Sequence, residues 1–203
     1  EKVTVTHEGV DSNFKHPSPR LIRPLISTPY FLYVGNAYPH KDLETLIQAF
    51  QQLPKDVQLV FVGKDDFFYH RIKREIVRLG LEHSVKFFGE AHDQQLTNLY
   101  EHAVALVFPS LMEGFGLPAL EALAAGCPVI CSDIPVFREV LKNFVTYVPP
   151  RSVQAWTSEL ADVLAGGVPT MLQRRKAQAY AHSFHWKTMV KQTMDVYKEV
   201  GRT

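Results

Sequence analysis

Short apolar runs alternate along the chain with longer amphipathic segments. The runs occupy residues 30–34, 57–62, 85–88, 103–108, 128–131 and 145–148. They are almost continuously apolar, which is typical of strands covered on both faces of a parallel sheet. Between them, apolar positions such as Leu43, Leu46, Ile47 and Phe50 recur at helical spacing. The pattern predicts an α/β fold, a doubly wound, Rossmann-like parallel sheet of about six strands with helices on both faces.

The intervening helices are expected over residues 43–53, 72–80, 94–102, 118–125 and 136–141. In the second of these, Ile72, Ile76 and Val77 are expected on the apolar face. After residue 150 only helical patterns follow, over 152–166, 170–181 and 186–200. The last of these forms a C-terminal helical extension with an apolar stripe of Trp186, Met189, Val190, Met194 and Tyr197. Such a stripe predicts packing, either within this domain or on another part of a longer protein. Residues 3–6 alternate like a strand already under way, and we therefore expect the chain to be a fragment.

Composition narrows the possible functions. The 203 residues are 46% apolar and 21% charged, the balance of a globular domain, and the net charge of +1 gives no field that would attract nucleic acid. No apolar run reaches the roughly 20 residues that span a bilayer. Cys127 and Cys131 are interpreted as buried, reduced thiols. The nine histidines are scattered, so neither a metal site nor a cofactor is predicted.

The loop after the fourth predicted strand carries the most unusual chemistry. Gly114 and Gly116 bracket Phe115 and permit a close approach of the backbone to a ligand. Pro118 suits the first helical position, and Leu117 at the cap offers no acceptor to the amides that follow. This combination favours an anion site at the helix start. The alternative is a tight turn into a buried helix.

Two carboxylates accompany this loop. Glu113 lies within it and Glu121 lies eight positions later, and neither has a basic neighbour in the sequence. We expect both to face the same opening. Because a carboxylate accepts hydrogen bonds from vicinal hydroxyls, the pair would suit two different sugars.

Two further loops follow predicted strands. Residues 35–42 contain Lys41, which either holds a phosphate as a mobile point charge or is a solvated lysine at a helix start. His40 is interpreted as shaping the turn rather than as a catalytic base. Residues 63–66 are interpreted as a polar turn, and the aspartates there give little support to a receiver-like signalling module.

Taken together, these segments resemble the retaining GT-B glycosyltransferases of family 4. Glu113 and Glu121, with the Gly-Phe-Gly-Leu-Pro between them, match the family's E-x7-E motif, and residues 105–110 and 125–130 match its surroundings. Residues 33–35 with Lys41 look like the family's first strand and phosphate loop. Three further segments are similar to its next strand ends, interdomain connection and closing helix: residues 85–89, 9–14 and 184–197.

The resemblance implies that the chain is the C-terminal, donor-binding half of a two-domain enzyme. Residues 1–18 would be the interdomain connection, 19–182 the nucleotide-sugar-binding domain and 183–203 a helix that crosses toward an N-terminal domain. Partners would be a nucleotide sugar linked to UDP or GDP, that N-terminal domain, and a saccharide or lipid-linked acceptor. The location would be cytoplasmic, with the full-length enzyme associating peripherally with the inner face of the cell membrane.

The resemblance also implies roles for particular residues. Lys41, beside Gly35, would hold the diphosphate, and Glu113 would bind the transferred sugar with the amides of residues 114–117; Lys41 and Glu113 would be the catalytic pair. Glu121 would bind the ribose hydroxyls. The base would lie near Phe88, Gly89 and Glu90.

One position departs from the family pattern. Where an arginine commonly follows the glycine of the first loop, this chain has Asn36. Asn36 followed by Pro-His-Lys is similar to bacterial O-antigen and polysaccharide mannosyltransferases of the family, which suggests mannose as the hexose. The loss of a cation leaves a non-catalytic nucleotide-sugar-binding domain as an alternative. The nucleotide-sugar 2-epimerases, which share the two-domain GT-B architecture, are another.

Overall fold

The computed structural model describes residues 3–14 and 23–201. These residues form a six-stranded sheet in the order β3-β2-β1-β4-β5-β6, in which all neighbours are parallel. The strands are β1 (Tyr30–Val34), β2 (Gln58–Val62), β3 (Val85–Gly89), β4 (Ala105–Phe108), β5 (Val129–Ser132) and β6 (Thr146–Val148). The predicted doubly wound sheet is confirmed. The predicted interdomain connection is described only over residues 3–14, and its remaining residues, like 19–22, 202 and 203, lie outside the described part.

Eight α-helices surround the sheet in the described ranges. They are α1 (Leu43–Phe50), α2 (Phe67–Arg78), α3 (Asp93–His102), α4 (Leu117–Ala124), α5 (Pro135–Leu141), α6 (Val153–Leu164), α7 (Met171–His182) and α8 (Trp186–Val200). Right-handed crossovers place α1 and α2 on one face and α3, α4 and α5 on the other, because the strand order reverses after β3. Helix α6 contacts α1 and α7 contacts α4, so each face gains a further helix.

The central strands are sealed from water on both faces. Phe31, Leu32, Leu106 and Val107 of β1 and β4 have no exposed surface. Continuous apolar runs therefore correspond to strands, as expected for a parallel sheet between two helical layers. Cys127 and Cys131 are buried free thiols, as the sequence predicts, and burial raises the pKa of Cys127 to about 12.

Three local expectations are wrong. Helix α2 begins at Phe67 rather than near residue 72, because the Asp66 side chain caps it by accepting from the amides of residues 68 and 69, each at 3.0 Å. Val77 is 61% exposed and lies outside the buried stripe of that helix. Residues 3–6 form no strand, and Val3 and Val5 are exposed.

The C-terminal helix stands apart from the core. Helix α8 buries none of its side chains within the described residues, and Trp186, Val190, Met194 and Tyr197 are 40% to 67% exposed. Packing of the stripe entirely within this domain is thereby wrong. No helix in the described ranges combines the length and apolarity that a membrane crossing requires.

The reversal of strand order creates a crevice. Strands β1 and β4 are neighbours, yet their crossovers lead to opposite edges of the sheet. In open α/β sheets, ligands bind outside the carboxyl ends of strands at such a switch point. The loops that follow β1 and β4 are therefore the place where this fold offers a site.

Candidate functional site

A cavity of about 600 Å³ opens at the switch point between β1 and β4. The amide of Leu111 donates to the carbonyl of His40 at 2.8 Å, which ties the loop after β4 to the loop after β1. Eight of the predicted site residues line this one cavity: Gly35, Asn36, Lys41, Glu113, Gly114, Phe115, Gly116 and Leu117. Residues 72 or more positions apart at its two walls are thus brought together by the sheet order.

Buried tyrosines hold the loop after β1. The Tyr33 hydroxyl donates to the carbonyl of Asn36 at 2.6 Å, and the Tyr69 hydroxyl donates to the carbonyl of Gly35 at 2.7 Å. Gly63 makes this close approach possible, because a Cβ there would lie 2.2 Å from the Gly35 carbonyl oxygen. The position of Lys41 therefore depends on side chains from β1 and α2 as well as on its own loop.

Lys41 lies at the end of a short 3-10 helix, Pro39–Lys41, and is 8% exposed. Its Nζ is 2.5 Å from Oε1 of Glu113, and it lies 5.6 Å from the centre of the Phe108 ring. The Ser110 hydroxyl also donates to Oε1 of Glu113, at 2.7 Å. No basic residue adjoins Glu113 in the sequence, and its cationic partner comes from a distant loop.

The start of α4 forms another wall of the cavity. Gly116 is the N-cap, with φ of 93°, and a Cβ there would lie 2.8 Å from the Phe137 ring. Leu117 is the first helical residue rather than the cap, so the predicted boundary is one residue late. No side chain caps this helix, as the sequence predicts. Within residues 3–14 and 23–201, the amides of residues 114–117 donate to no backbone carbonyl or side chain.

Unpaired amides at a helix start and one lysine make this cavity suited to an anion. The amides carry the positive end of the helix dipole, and the Lys41 ammonium adds a full charge. Glu113 already neutralises part of that charge. An anion here has to share Lys41 with Glu113 rather than find a free cation.

Glu121 lies away from the cavity lining. Its Oε2 accepts a hydrogen bond from the Tyr100 hydroxyl of α3 at 3.1 Å, so it faces the α3 side of α4. Burial, with minor contributions from Asp93 and Asp11, raises the pKa of Glu121 to about 7, although the Tyr100 hydrogen bond lowers it. The expectation that both carboxylates face one opening does not hold for this cavity.

The three residues predicted to lie near the base stand at the carboxyl end of the edge strand β3. Phe88 and Gly89 are half-buried and Glu90 is exposed, and none of them lines the cavity. The ladder between β2 and β3 shifts register here, so that Val62 pairs with Gly89. A ligand that touched both Lys41 and residues 88–90 would have to extend along the ends of three strands.

Several residues of the site lie outside the sequence prediction. Residues 5–8 line the cavity, and the His7 ring lies 5.7 Å from that of Phe115 and 3.7 Å from the Glu139 carboxylate. Ser110 and Tyr100 hold the two carboxylates. The hydroxyl three positions before Glu113 is a local signal that could have found Ser110. Nothing local marks Tyr100 or His7, which reach the site through packing.

Metal ligands do not cluster in the described ranges: no group of three His, Cys, Asp or Glu side chains is close enough to hold an ion. The cavity lining combines Lys41, the paired carboxylate of Glu113 and unpaired amides. The carboxylates of Glu8 and Glu139 also line it, and Glu121 lies outside the lining. This set can hold an anion beside hydroxyl groups.

Solved structures share this fold. The Anabaena protein HepE, in complex with UDP and glucose, superposes with a TM-score of 0.81 at 22% identity, covering 98% of this chain and 57% of that one. A sucrose-phosphate synthase from Thermosynechococcus elongatus superposes with a TM-score of 0.79 at 27% identity, covering 96% of this chain and 50% of that one. The fold is therefore that of one Rossmann-like half of GT-B glycosyltransferases.

Sequence relatives agree with the structural neighbours. The O-antigen chain mannosyltransferase RfbU of Salmonella typhimurium is 36% identical over 164 residues, which are 80% of this chain and 44% of RfbU. The O-antigen chain mannosyltransferase B of Escherichia coli is 28% identical, over 98% of this chain and 55% of its own. The chain spans about half the length of these relatives. The model of the family "Glycosyl transferases group 1" matches residues 25–182, and the chain therefore belongs to that family.

Proposed function

We propose that this chain is the donor-binding half of a retaining glycosyltransferase, which takes a hexose from a nucleoside diphosphate sugar. The observation that carries the proposal is the cavity at the switch point. It joins Lys41, the carboxylate of Glu113 and the unpaired amides of residues 114–117. A diphosphate suits the ammonium and the amides, and sugar hydroxyls suit the carboxylate.

Each part of the donor has a proposed binding residue. Lys41 and the α4 amides would hold the diphosphate, and Glu113 would bind the transferred hexose. Glu121 would accept hydrogen bonds from the ribose hydroxyls, with the base near residues 88–90. A nucleotide sugar bound in this way would extend from the cavity past α4 to the end of β3. It would have to do so because Glu121 and residues 88–90 lie outside the cavity lining.

The proposed chemistry is the departure of the nucleoside diphosphate with retention at the sugar carbon. As the bond to the leaving oxygen breaks, negative charge grows on the diphosphate. Lys41 and the amides at the start of α4 would stabilise that charge, because they are held in place before the reaction begins. No metal ion is needed for this step, since cation and amides together perform its electrostatic role.

Mannose is the first sugar to test. The two sequence relatives are named as O-antigen chain mannosyltransferases, whereas HepE was solved with UDP and glucose. We therefore propose GDP-linked mannose as donor, with UDP-glucose as the comparison, and a saccharide or lipid-linked saccharide as acceptor. The acceptor would be bound by an N-terminal half.

Calorimetry on this chain tests the proposal directly. GDP-mannose, UDP-glucose and the free nucleoside diphosphates are titrated with and without a metal chelator. We expect one nucleotide sugar to bind, with unchanged affinity in the chelator. Absence of binding by all of them would overturn the donor-binding role, and binding abolished by the chelator would overturn the metal-independent mechanism.

The exposed face of α8 supports the other half of the proposal. Its apolar side chains are unburied within the described residues, and we propose that they pack on an N-terminal domain of the full-length enzyme. Hydrogen exchange over residues 186–201, in this chain and in the full-length enzyme, tests this. We expect protection only in the latter, and equal strong protection in both would contradict it.

Asn36 gives a specific reason to keep a second candidate, a nucleotide-sugar-binding domain without catalysis. Asn36 lines the cavity but carries no charge, so the diphosphate would meet one cation fewer. Product analysis with the full-length enzyme separates the candidates. Transfer to an acceptor supports the enzyme, binding without turnover supports the second candidate, and release of a free epimerised sugar would indicate an epimerase.

A further inference from the structure

The carboxylate of Glu113 is held at one oxygen by two donors of different kinds. Oε1 accepts from the Lys41 ammonium at 2.5 Å and from the Ser110 hydroxyl at 2.7 Å. Ser110 has no exposed surface, and the side chains of Lys41 and Glu113 are about 10% exposed. Two donors on one oxygen leave the lone pairs of Oε2 for a ligand.

We infer that Ser110 is a positioning residue for the sugar-binding carboxylate, an inference that rests on the proposed function. It keeps Oε1 of Glu113 in place while Lys41 turns part of its charge toward the diphosphate. Ser110 touches neither the diphosphate nor the reacting atoms and acts only through Glu113.

Glu113 needs a second hydrogen-bond donor because a bound diphosphate competes with it for Lys41. The ammonium contacts Glu113 in this structure, and a bound diphosphate would present several anionic oxygens to the same Nζ. These oxygens are anionic, as the carboxylate of Glu113 is, and they compete with it for the ammonium. The Lys41–Glu113 contact therefore weakens when the nucleotide sugar binds. A neutral hydroxyl has no comparable attraction to the diphosphate and remains on Glu113.

A backbone hydrogen bond between the two loops fixes the distance between Ser110 and Lys41. Ser110 follows Pro109 at the end of β4, and the next residue, Leu111, donates its amide to the His40 carbonyl at 2.8 Å. His40 directly precedes Lys41. The two donors to Glu113 therefore belong to one hydrogen-bonded unit of two loops, and the carboxylate can lose one contact without leaving its position.

The test compares Ser110→Ala with Ser132→Ala in this chain. Ser132 is equally buried and ends the neighbouring strand β5, but its hydroxyl has no hydrogen-bond partner in the described residues. Each variant is titrated with a nucleotide sugar and with the matching nucleoside diphosphate. For Ser110→Ala we expect the nucleotide sugar to bind about tenfold more weakly, the loss typical of a hydrogen bond to a charged group.

The nucleoside diphosphate should bind Ser110→Ala within about twofold of the wild-type affinity, a small change by the standards of a hydrogen bond, and Ser132→Ala should change neither ligand. Thermal unfolding of both variants identifies any general loss of folding. If Ser110→Ala fails to fold, Ser110→Cys keeps the size with a weaker donor, and a smaller loss confined to the nucleotide sugar is expected. Equal weakening of both ligands, or of neither, would overturn the positioning role. Failure of the wild-type chain to bind any nucleotide sugar would instead overturn the proposed function.

Discussion

The two carboxylates of the E-x7-E segment, Glu113 and Glu121, have different hydrogen-bond partners and different electrostatic surroundings. Glu113 is paired with Lys41 and held by Ser110 at the cavity. Glu121, in the second turn of α4, accepts a hydrogen bond from the neutral hydroxyl of Tyr100, and burial raises its pKa to about 7. One carboxylate is paired with a cation, whereas the pKa of the other lies close to neutral pH.

One sequence motif thus holds two carboxylates in electrostatically different environments, which under the proposed function are two separate subsites. A cation belongs where a ligand brings negative charge, and Glu113 shares that cation. Where the ligand brings hydroxyl groups, a neutral hydrogen-bond donor such as the Tyr100 hydroxyl is sufficient. The carboxylate of Glu121 then needs no cationic partner before the ligand binds. Four variants test whether these subsites act as differently as their surroundings predict.

The largest effect is expected at the paired end. In Lys41→Met, nucleoside diphosphate binding should fall about 10- to 100-fold, because a charge-assisted contact worth roughly 1.5–3 kcal/mol is lost. Nucleoside binding should change little. Calorimetry with both ligands measures this, and Lys55→Met, which removes an exposed lysine before β2, is the matched control. Equal losses for both ligands would mean that Lys41 is structural.

At Glu121, which has no cationic partner in the described residues, the substitution Glu121→Gln should change the pH dependence of the free energy of unfolding. The wild-type pKa rises from 4.5 unfolded to about 7 folded. The folded chain therefore holds a proton that the unfolded chain has lost, and the wild-type free energy of unfolding should fall, relative to the variant, as pH rises from about 4.5 to 7. Below that window the two should differ by a constant amount.

Ligand binding by the same variant gives a second reading. If ribose hydroxyls donate to the ionised Glu121, nucleoside affinity of the wild type should rise as pH passes about 7, whereas that of Glu121→Gln should stay flat. Urea titrations and calorimetry between about pH 4 and pH 8, a range that contains both the unfolded and the folded pKa of Glu121, measure both effects. Parallel curves for the two proteins would remove the distinction between the subsites.

A smaller effect is expected in Tyr100→Phe. The hydroxyl lowers the pKa of Glu121, so its removal should move the nucleoside binding transition to higher pH and weaken binding about 2- to 10-fold. Tyr30→Phe is the control, because that buried hydroxyl donates to the carbonyl of Leu99 in the same helix without touching Glu121. An identical shift in both variants would point to a disturbance of α3 instead.

The smallest effect is expected from adding a cation to the paired subsite. Asn36→Arg should strengthen nucleoside diphosphate binding a few-fold, on the order of an exposed charge contact, and the gain should shrink in high salt. Asn36→Gln, which adds length without charge, should show no gain. An unchanged affinity for Asn36→Arg would mean that the diphosphate lies beyond reach of this loop.

The alternation of strands and helices was readable from the chain because it depends on neighbouring residues. Apolar runs and 3.6-residue spacing located all six strands and the matching helices within a few residues. The miss at α2 was local too, since Asp66 in the loop before it is a usual capping residue and its role could have been inferred. The glycines and the uncapped start of α4 likewise identify the loop at the switch point from the sequence alone.

The sheet, its two helical layers and the loops that carry chemistry could therefore be predicted from the chain alone, because hydrophobic periodicity and turn residues act over a few positions. The contacts that those residues make depend on tertiary packing. Lys41 and Glu113 are 72 positions apart and Tyr100 and Glu121 are 21 apart, and the reversed strand order makes each pair neighbours. Tertiary packing also placed residues 5–8 on the cavity and left the α8 stripe unburied. Charge pairing and burial are properties of surfaces brought together by folding, and no local pattern records them.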